Sequence, residues 1–342
     1  MNLLKWYRGM LLIRVFEESV GKLFTQGLAP GTSHLSIGQE ACAVGAVSVL
    51  DFTDQVFSTH RGHGHFLAKG GDPMMLMAEI LGRSGGYGNG FGGSQHTSYP
   101  PIGFIGTNGI TGGNIPVATG AALATKTLGT GRVVICFFGD GASNQGTFHE
   151  SLNMASLWKL PIIFFVENNR YAQWTSVTRS TSVESIATRG IAYNIPGVTV
   201  DGMDVNAVYD VTAEAVKLAR SGGGPTLIEA ETYRLTGHSK SDVKTMMCRP
   251  EEEEQVWYQR DPIHLLRDRI LENKFADDVK LDGIDNDVRH IIEEATRQAL
   301  DSPDRRPEFG IHRRLRGSWS LGTGRPSTSR SVRRWPPILV SS

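Results

Sequence analysis

Two polar clusters, each closing an apolar run, constrain the fold of this chain more than any other sequence feature. The first run, residues 133–138, leads into Gly139-Asp140-Gly141, and the second, residues 162–166, is followed by Asn168-Asn169. Residues 147–159, between the two runs, have the spacing of a helix. Such a helix covers about 20 Å, and the strand after it covers roughly the same distance in return. We therefore predict two neighbouring parallel strands whose polar clusters meet at the carboxyl edge of one sheet, where open α/β sheets bind ligands.

The remaining apolar patterns alternate between helical and strand-like segments. A further buried strand is predicted at Thr226–Glu231, and a glycine-rich loop at residues 82–93. Helical spacing occurs at residues 1–24, 39–50, 115–128, 205–221, 263–273 and 285–300. This order predicts a doubly wound α/β fold, a parallel sheet with helices on both faces and helical extensions at both ends.

By composition the chain divides into a body, residues 1–302, and a basic tail, residues 303–342. With 342 residues and 39% hydrophobic content, it can bury one large α/β core or two smaller ones. From Pro303 onward Arg, Ser, Pro and Gly follow one another with no apolar period, so little folded structure is expected there. The tail is either a genuine extension or the product of a reading-frame change.

The charge distribution argues against a nucleic-acid partner. Basic and acidic residues balance at 35 each, but residues 305–342 hold nine Arg and a single acid, which leaves a net charge of −8 on the rest. An acidic body gives no sign of a nucleic-acid groove.

The N-terminal segment and the cysteines give an indication of the cellular compartment. No segment reads as a membrane span, and the charges of Arg8, Arg14, Glu17 and Glu18 favour an amphipathic docking helix over a signal or transit peptide. The three cysteines have no metal-type spacing, which fits a reducing compartment. A cytoplasmic location is expected.

The polar clusters at the predicted sheet edge supply hard oxygen ligands. The carboxylate of Asp140 and an amide oxygen of the Asn pair suit Mg²⁺, which usually keeps room for phosphate oxygens and water. Gly139 and Gly141 let the backbone approach a bulky anion, and the next helix directs its N-terminal N–H groups toward it. The alternatives are an ordinary Gly-Asp-Gly turn and an Asn pair that only ends a strand. Their joint occurrence after two apolar runs favours a magnesium ion holding a diphosphate.

Two other patterns suggest sites that their sequence context does not favour. Gly88-Asn89-Gly90-Phe91-Gly92-Gly93 satisfies GxGxxG, but a nicotinamide dinucleotide site requires a strand before this motif and a helix after it. His60, His63 and His65 could suggest zinc, but their spacing lacks a closed tetrahedral set. Arg61, within the same stretch, either lies at the surface in a turn or offers planar donors to phosphate oxygens.

Several motifs together resemble the E1 α subunits of 2-oxo acid dehydrogenase complexes, including their acetoin dehydrogenase relatives. The thiamine diphosphate motif of that family is similar to Gly139-Asp140-Gly141-Ala142-Ser143-Asn144-Gln145-Gly146 followed by Glu167-Asn168-Asn169-Arg170-Tyr171. The stretches Thr59-His60-Arg61-Gly62-His63, Asn108-Gly109-Ile110-Thr111 and Arg234-Leu235-Thr236-Gly237-His238 match in the same order. The likeness runs from about residue 6 to about residue 300.

The resemblance implies a cofactor role for each matching residue. Thiamine diphosphate and Mg²⁺ are the implied cofactors. The implied Mg²⁺ ligands are Asp140, Asn169 and the backbone carbonyl of Tyr171. The implied contacts of the diphosphate are Arg61, Gly141 and Ala142, and those of the aminopyrimidine ring are Gly109 and Thr111.

Histidines are the catalytic candidates that the resemblance implies. His63 and His238 match active-site histidines, the second of them in contact with the cofactor, and His34 matches a histidine on the substrate side. His60 stands where the family commonly has Tyr.

The implied function is that of the E1 component of a 2-oxo acid dehydrogenase complex. Such an enzyme decarboxylates a pyruvate-like 2-oxo acid, or cleaves acetoin, and transfers the product to a lipoyl group on an E2 acyltransferase. In this family a glutamate that activates the cofactor lies on a β subunit, so the resemblance implies an α₂β₂ heterotetramer and an inactive isolated chain.

Two other functions remain open from the sequence. A non-catalytic subunit that keeps the fold is one, because residues 243–250 and the tail depart from the family pattern. A nicotinamide-dependent dehydrogenase is the other. The acidic run Glu251-Glu252-Glu253-Glu254 is predicted to be the first turn of a helix rather than a metal site.

Overall fold

The computed structural model describes residues 3–240, 242 and 249–305. They form an α/β fold around a six-stranded parallel sheet in the order β2-β1-β3-β4-β8-β7. Its strands are β1 (Gln55–Phe57), β2 (Phe104–Gly106), β3 (Val134–Gly139), β4 (Ile162–Asn168), β7 (Gly197–Asp201) and β8 (Thr226–Glu231). A separate antiparallel ribbon consists of β5 (Tyr171–Ala172) and β6 (Thr175–Ser176). The predicted fold class is confirmed.

The helices lie on both faces of the sheet. Within the described residues they are α1 (Leu3–Thr25), α2 (Glu40–Val47), α3 (His63–Ala68), α4 (Pro73–Ile80), α5 (Asn114–Thr127), α6 (Gly146–Leu157), α7 (Val177–Ser180), α8 (Val205–Arg220), α9 (Glu251–Tyr258), α10 (Pro262–Glu272) and α11 (Asp278–Asp301). The acidic run does begin a helix, α9, as predicted.

Most predicted elements are present with their ends shifted by a few residues. The exception is α11, which begins well before its predicted start because the side chain of Asp277 accepts a hydrogen bond from the backbone N–H of Lys280 and caps the helix. Sequence reasoning missed the strands β1, β2, β5, β6 and β7 and the helices α3, α4 and α7. The missed strands are two to five residues long, too short for a clear apolar pattern.

The side chains of β3 show how the sheet divides the core. Ile135 and Phe137 pack into a cluster with the apolar residues of α1, α2 and α11, whereas Cys136 and Phe138 pack with those of α5 and α6. Successive side chains of a strand point to opposite faces, so a strand with helices on both sides is apolar throughout. This burial fixes β3 and β4 and thereby the loops that follow them.

The N-terminal helix α1 docks on the body of the same chain. Its Arg14 forms ion pairs with Glu40 at the start of α2 and with Asp261, the N-cap of α10. The helix packs against α2, α3 and α11. Because α1 is anchored in this way, Glu17 on its inner face is fully buried next to α3.

The C-terminal end of the described part lies against the glycine-rich loop. The backbone N–H of Ser84 donates to the carbonyl of Pro303 at 2.9 Å, and Arg83 forms an ion pair with Asp304. The predictions for the tail beyond Arg305 fall outside the described residues. None of the helices in the described ranges is long and apolar enough to cross a membrane.

Candidate active site

Polar residues that follow the strands line one cavity of about 310 Å³ at the carboxyl edge of the sheet. Asp140 follows β3 and Asn169 follows β4, and the two strands pair in parallel with Gly139 opposite Glu167. The prediction that both polar clusters share one edge is confirmed. Ten residues with a sequence-predicted role line this cavity: His34, Arg61, Gly109, Thr111, Asp140, Gly141, Ala142, Asn169, Tyr171 and His238.

Asp140 is a buried carboxylate with an unused oxygen. The residue is 2% exposed, and its Oδ2 atom has no hydrogen-bond partner among the described residues. Burial raises the pKa of Asp140 to about 6, although the charge of Arg234 acts in the opposite direction. A buried carboxylate of this kind requires a proton or a cation, so Asp140 is a candidate cation ligand.

Asn169 is oriented by Gln39, a residue that sequence reasoning missed. The Nδ2 group of Asn169 donates to Oε1 of Gln39 at 2.8 Å, and Gln39 is itself buried at the start of α2. Fixing the amide nitrogen in this way assigns the acceptor oxygen Oδ1 to the opposite side of the group. Arg170 follows in the left-handed region, with φ +70°, where a residue other than glycine is uncommon. This turn leads directly into Tyr171.

Arg234 lies fully buried beneath the same turn. Its Nη2 donates to the carbonyls of Tyr171 at 3.1 Å and Gln173 at 3.0 Å. Its Nε and Nη1 atoms are buried without a partner in the described part of the chain. Burial and the neighbouring charge of Arg61 lower the pKa of Arg234 well below its usual value.

Arg61 places a second buried guanidinium at the cavity. It is 4% exposed and donates to the carbonyls of Leu35 and, at 3.0 Å, His238. Burial lowers the pKa of Arg61 to about 10. Two buried cations beside one cavity are stabilised when a multiply charged anion enters it. The surface-turn alternative for Arg61 is wrong.

Three histidines form one wall of the cavity. The rings of His34, His60 and His238 have centroids 4.5 to 5.7 Å apart and offer nitrogens that lie within 4.8 Å of one another. Burial, followed by the charge of Arg61, lowers the pKa of His34 to about 4, of His60 to about 2 and of His238 to about 3. All three imidazoles are therefore neutral at physiological pH and can act as hydrogen-bond donors without carrying charge.

Residues 8–308 match the sequence profile of the dehydrogenase E1 component family. The chain belongs to this family. It is similar to the acetoin:2,6-dichlorophenolindophenol oxidoreductase subunits alpha of Bacillus subtilis, at 47% identity over 87% of this chain and 88% of the relative, and of Cupriavidus necator, at 45% over 90% and 92%. It is also similar to the pyruvate dehydrogenase E1 component subunit alpha of Rhizobium meliloti, at 44% over 88% and 86%. Family membership implies the use of thiamine diphosphate, and the alpha designation implies a partner subunit.

In this E1 α chain, His63 lies behind the cavity wall and does not line it. Its Nδ1 is 3.0 Å from the carboxylate of Glu17, and its Nε2 is 3.0 Å from Oγ of Ser94. Burial alone would raise the pKa of Glu17, but His63 and two hydrogen bonds from Ser36 hold it below its usual value. The pair is a buried polar anchor between α1, α3 and the loop that contains Ser94.

The histidine motif of the E1 α chain divides between the cavity and the interior. His60 faces the cavity from the loop after β1. His65 stacks on Phe137 of β3, with ring centroids 3.8 Å apart, and its Nδ1 is 2.8 Å from Oγ of Ser58. Because α3 begins at His63, the residues after that point follow the helix and not the loop. The three side chains of the motif therefore do not converge on one ion.

The GxGxxG motif is built around a carboxylate of the chain itself. Glu79, on α4, is 1% exposed and accepts hydrogen bonds from four backbone N–H groups. Its Oε2 accepts from Gly88 at 2.6 Å and Gly90 at 2.9 Å, and its Oε1 accepts from Gly92 at 2.6 Å and Gly93 at 3.3 Å. A concave run of N–H groups binds an anion, and here that anion is internal. The motif thus shapes the loop that leads to the cavity.

Sequence reasoning assigned no role to three residues of the site: Gln39, Gln95 and Arg234. Gln39 and Gln95 line the cavity, and Arg234 supports the turn after β4. A signal existed for Arg234, since a charged residue shortly after the buried strand β8 requires a partner at the sheet edge. No comparable signal marked the two glutamines, because polar residues in loops are common.

Proposed function

We propose that this E1 α chain binds Mg²⁺ with thiamine diphosphate, acts on a pyruvate-like 2-oxo acid, and passes the acyl group to the lipoyl group of an E2 acyltransferase. The observation that carries the proposal is the partnerless Oδ2 of buried Asp140, in a cavity shared with Asn169 and with the buried guanidinium of Arg61. Oxygen ligands and a guanidinium donor in one cavity fit a metal-bound diphosphate.

In this proposal Asp140, Asn169 and the carbonyl of Tyr171 hold Mg²⁺. The carbonyl of Tyr171 already accepts from Arg234, but a carbonyl oxygen has two lone pairs and can take a cation on the other. The Oδ1 atom of Asn169 is the ligand in this proposal, because its Nδ2 group already donates a hydrogen bond to Gln39. These ligands are hard oxygen donors, which suits Mg²⁺.

The diphosphate is proposed to lie against Arg61, Gly141 and Ala142. Glycine is needed at position 141, because a Cβ atom there would come within 2.6 Å of Cβ of Ala172. Gly109 and Thr111, which also line the cavity, are proposed to contact the aminopyrimidine ring. In this proposal the diphosphate contacts residues that follow β3 or, in the case of Arg61, β1, and the aminopyrimidine ring contacts residues that follow β2.

His34 and His238 are the proposed catalytic residues. Bound thiamine diphosphate supplies the nucleophilic carbon and the electron sink for cleavage of the substrate bond. The neutral imidazoles of His34 and His238 orient substrate oxygens by hydrogen bonds and can transfer a proton at a ring nitrogen. His63 contributes by holding Ser94 in place.

A β subunit in an α₂β₂ heterotetramer is the proposed partner, and a cytoplasmic location is proposed with it. Acetoin is the second candidate substrate, because relatives at 47% and 45% identity carry acetoin in their names. The non-catalytic alternative is less well supported, since the residues that would hold the cofactor line one cavity in this chain.

Reconstitution tests the proposal. The chain is purified alone and together with its β subunit, thiamine diphosphate binding is measured by calorimetry with and without Mg²⁺, and turnover of pyruvate and of acetoin is followed with an artificial electron acceptor. We expect Mg²⁺-dependent binding and turnover only when both chains are present. Turnover by the isolated chain would contradict the need for the β subunit, and binding of equal affinity without Mg²⁺ would contradict the metal site.

Binding of Mg²⁺ with thiamine diphosphate should weaken below about pH 6, at which Asp140 is half protonated in the ligand-free fold. A protonated carboxyl group does not ligate the metal, so the affinity should fall up to about tenfold per pH unit below that point and level off above it. The same shift means that the ligand-free fold loses stability as the pH rises through about 6, because a buried carboxylate without a partner becomes charged. Calorimetric titrations between about pH 5 and about pH 8 measure the first effect. A flat affinity profile across that range would contradict it.

A further inference from the structure

Gln95 occupies the wall of the cavity that lies next to the three histidines. Its Nε2 atom is 3.3 Å from Nδ1 of His34. Its Oε1 atom faces Gly109, where an added Cβ would come within 2.9 Å of that oxygen. The amide of Gln95 is therefore enclosed between a ring nitrogen on one side and a residue without a side chain on the other.

The backbone around Gln95 is held on both sides. Its carbonyl accepts from Oγ1 of Thr107 at 2.7 Å, and the same hydroxyl accepts from the backbone N–H of Thr97 at 2.8 Å. The preceding residue, Ser94, contacts Oγ of Ser33 at 3.2 Å and Nε2 of His63 at 3.0 Å. The buried anchor of His63 thus fixes the segment from which Gln95 reaches the cavity.

We propose that Gln95 is a positioning residue that donates from its amide to Nδ1 of His34 and so keeps the ring proton of His34 on Nε2. A neutral imidazole has one donor and one acceptor nitrogen, and the tautomer present is set by the hydrogen bond that one of the nitrogens makes. An amide NH₂ group can only donate, which makes Nδ1 the acceptor.

The consequence concerns the proton that His34 offers to a ligand. With Nδ1 occupied, His34 can donate only from Nε2, and it remains neutral because burial and the charges around it disfavour a second proton. Within the described residues, the charged or titratable groups that act on His34 or contact its ring include Arg61, His63, Arg234, Asp242, His60 and His238. This inference rests on the proposed function in so far as it gives His34 a substrate-side role.

Two substitutions at Gln95 separate a tautomer effect from a packing effect. In Gln95→Glu the carboxylate accepts from Nδ1–H, which moves the proton to the wrong nitrogen and favours the charged ring, so the pKa of His34 should rise by about one unit or more. In Gln95→Met the donor is lost without a new charge. We expect both variants of the α and β holoenzyme to lose roughly tenfold or more in kcat, and only Gln95→Glu to show a new ionisation in the pH profile of kcat/KM. Gln259→Glu, at an exposed position, is the matched control.

The outcomes distinguish this inference from the proposed function. Equal losses of kcat in both variants, with unchanged pH profiles, would show that Gln95 only fills space. Wild-type kcat and pH profile in Gln95→Glu would show that the amide oxygen of Gln95 faces a protonated Nδ1 of His34. Nitrogen-15 NMR of the histidine-labelled holoenzyme reads the tautomer without any need for turnover, with His34→Gln assigning the signal. A δ tautomer of His34 would overturn the inference even in an active enzyme. Failure of the wild-type holoenzyme to bind thiamine diphosphate would instead overturn the proposed function.

Discussion

Replacing Asp140 by Asn is expected to remove activity while making the ligand-free protein more stable. The neutral amide cannot balance the charge of Mg²⁺. Loss of a group that only supports a metal ligand lowers metal affinity by about 10- to 100-fold. Loss of the ligand itself should therefore lower the affinity for Mg²⁺ by at least about 100-fold. The stability effect has the opposite sign, because the substitution removes a buried carboxylate with an unpaired oxygen. The pKa of Asp140, raised from 3.8 to about 6, corresponds to a gain of about 3 kcal/mol in the free energy of unfolding at neutral pH when the carboxylate is removed.

The two effects are measured by calorimetric titration of thiamine diphosphate with Mg²⁺ and by chemical denaturation without ligand. Asp210→Asn is the control, since Asp210 is exposed on α8 and should change neither quantity. The metal assignment would be contradicted by an Asp140→Asn protein that binds the cofactor with wild-type affinity. A loss of both stability and binding would show that Asp140 serves the fold and not a ligand.

Replacing Glu79 by Gln is expected to destabilise the protein by about 3 kcal/mol, the cost of leaving buried donors without a charged acceptor. The carboxylate accepts from four backbone N–H groups of the glycine-rich loop, two at each oxygen. In the amide an NH₂ group replaces one oxygen, so two of these donors would face another donor. The loop also carries Ser94 and Gln95 toward the cavity, and kcat should therefore fall as well.

Urea denaturation of the wild type and the variant measures this cost as a shift of the midpoint at constant slope. Glu293→Gln is the control, because Glu293 lies exposed on α11. An unchanged midpoint for Glu79→Gln would mean that water or a rearranged loop satisfies the N–H groups. A lower slope would instead indicate a change in the unfolded or partly folded states.

The part of the site that could be predicted from sequence depends on local geometry. Asp140 and Asn169 follow two strands joined by a single helix, and the lengths of these elements alone return the chain to the same sheet edge. The resemblance to the E1 α family added residues that follow other strands of the sheet. Ten of the eleven predicted site residues line the cavity. The exception, His63, is the first residue of α3, a helix too short to be recognised from its pattern.

The residues that sequence reasoning missed depend on contacts between distant parts of the chain. Gln39 and Asn169 are 130 positions apart, and Gln95 and His34 are 61 apart. The local spacing of apolar residues does not indicate which distant residues form such a contact. The GxGxxG motif illustrates the same limit, because its meaning depends on Glu79, which precedes the motif on a helix that was not predicted.

The sequence by itself determined the α/β fold, the shared edge of β3 and β4, and the oxygen-bearing side chains placed there, because apolar periodicity and segment length are local properties. The tertiary structure decided which neighbours of a motif face the cavity and which are buried. His60 and His65 lie five positions apart, yet one lines the cavity and the other stacks on Phe137 of the sheet. The direction of a side chain depends on the element it belongs to and on what packs against that element, and both are fixed only when distant segments meet.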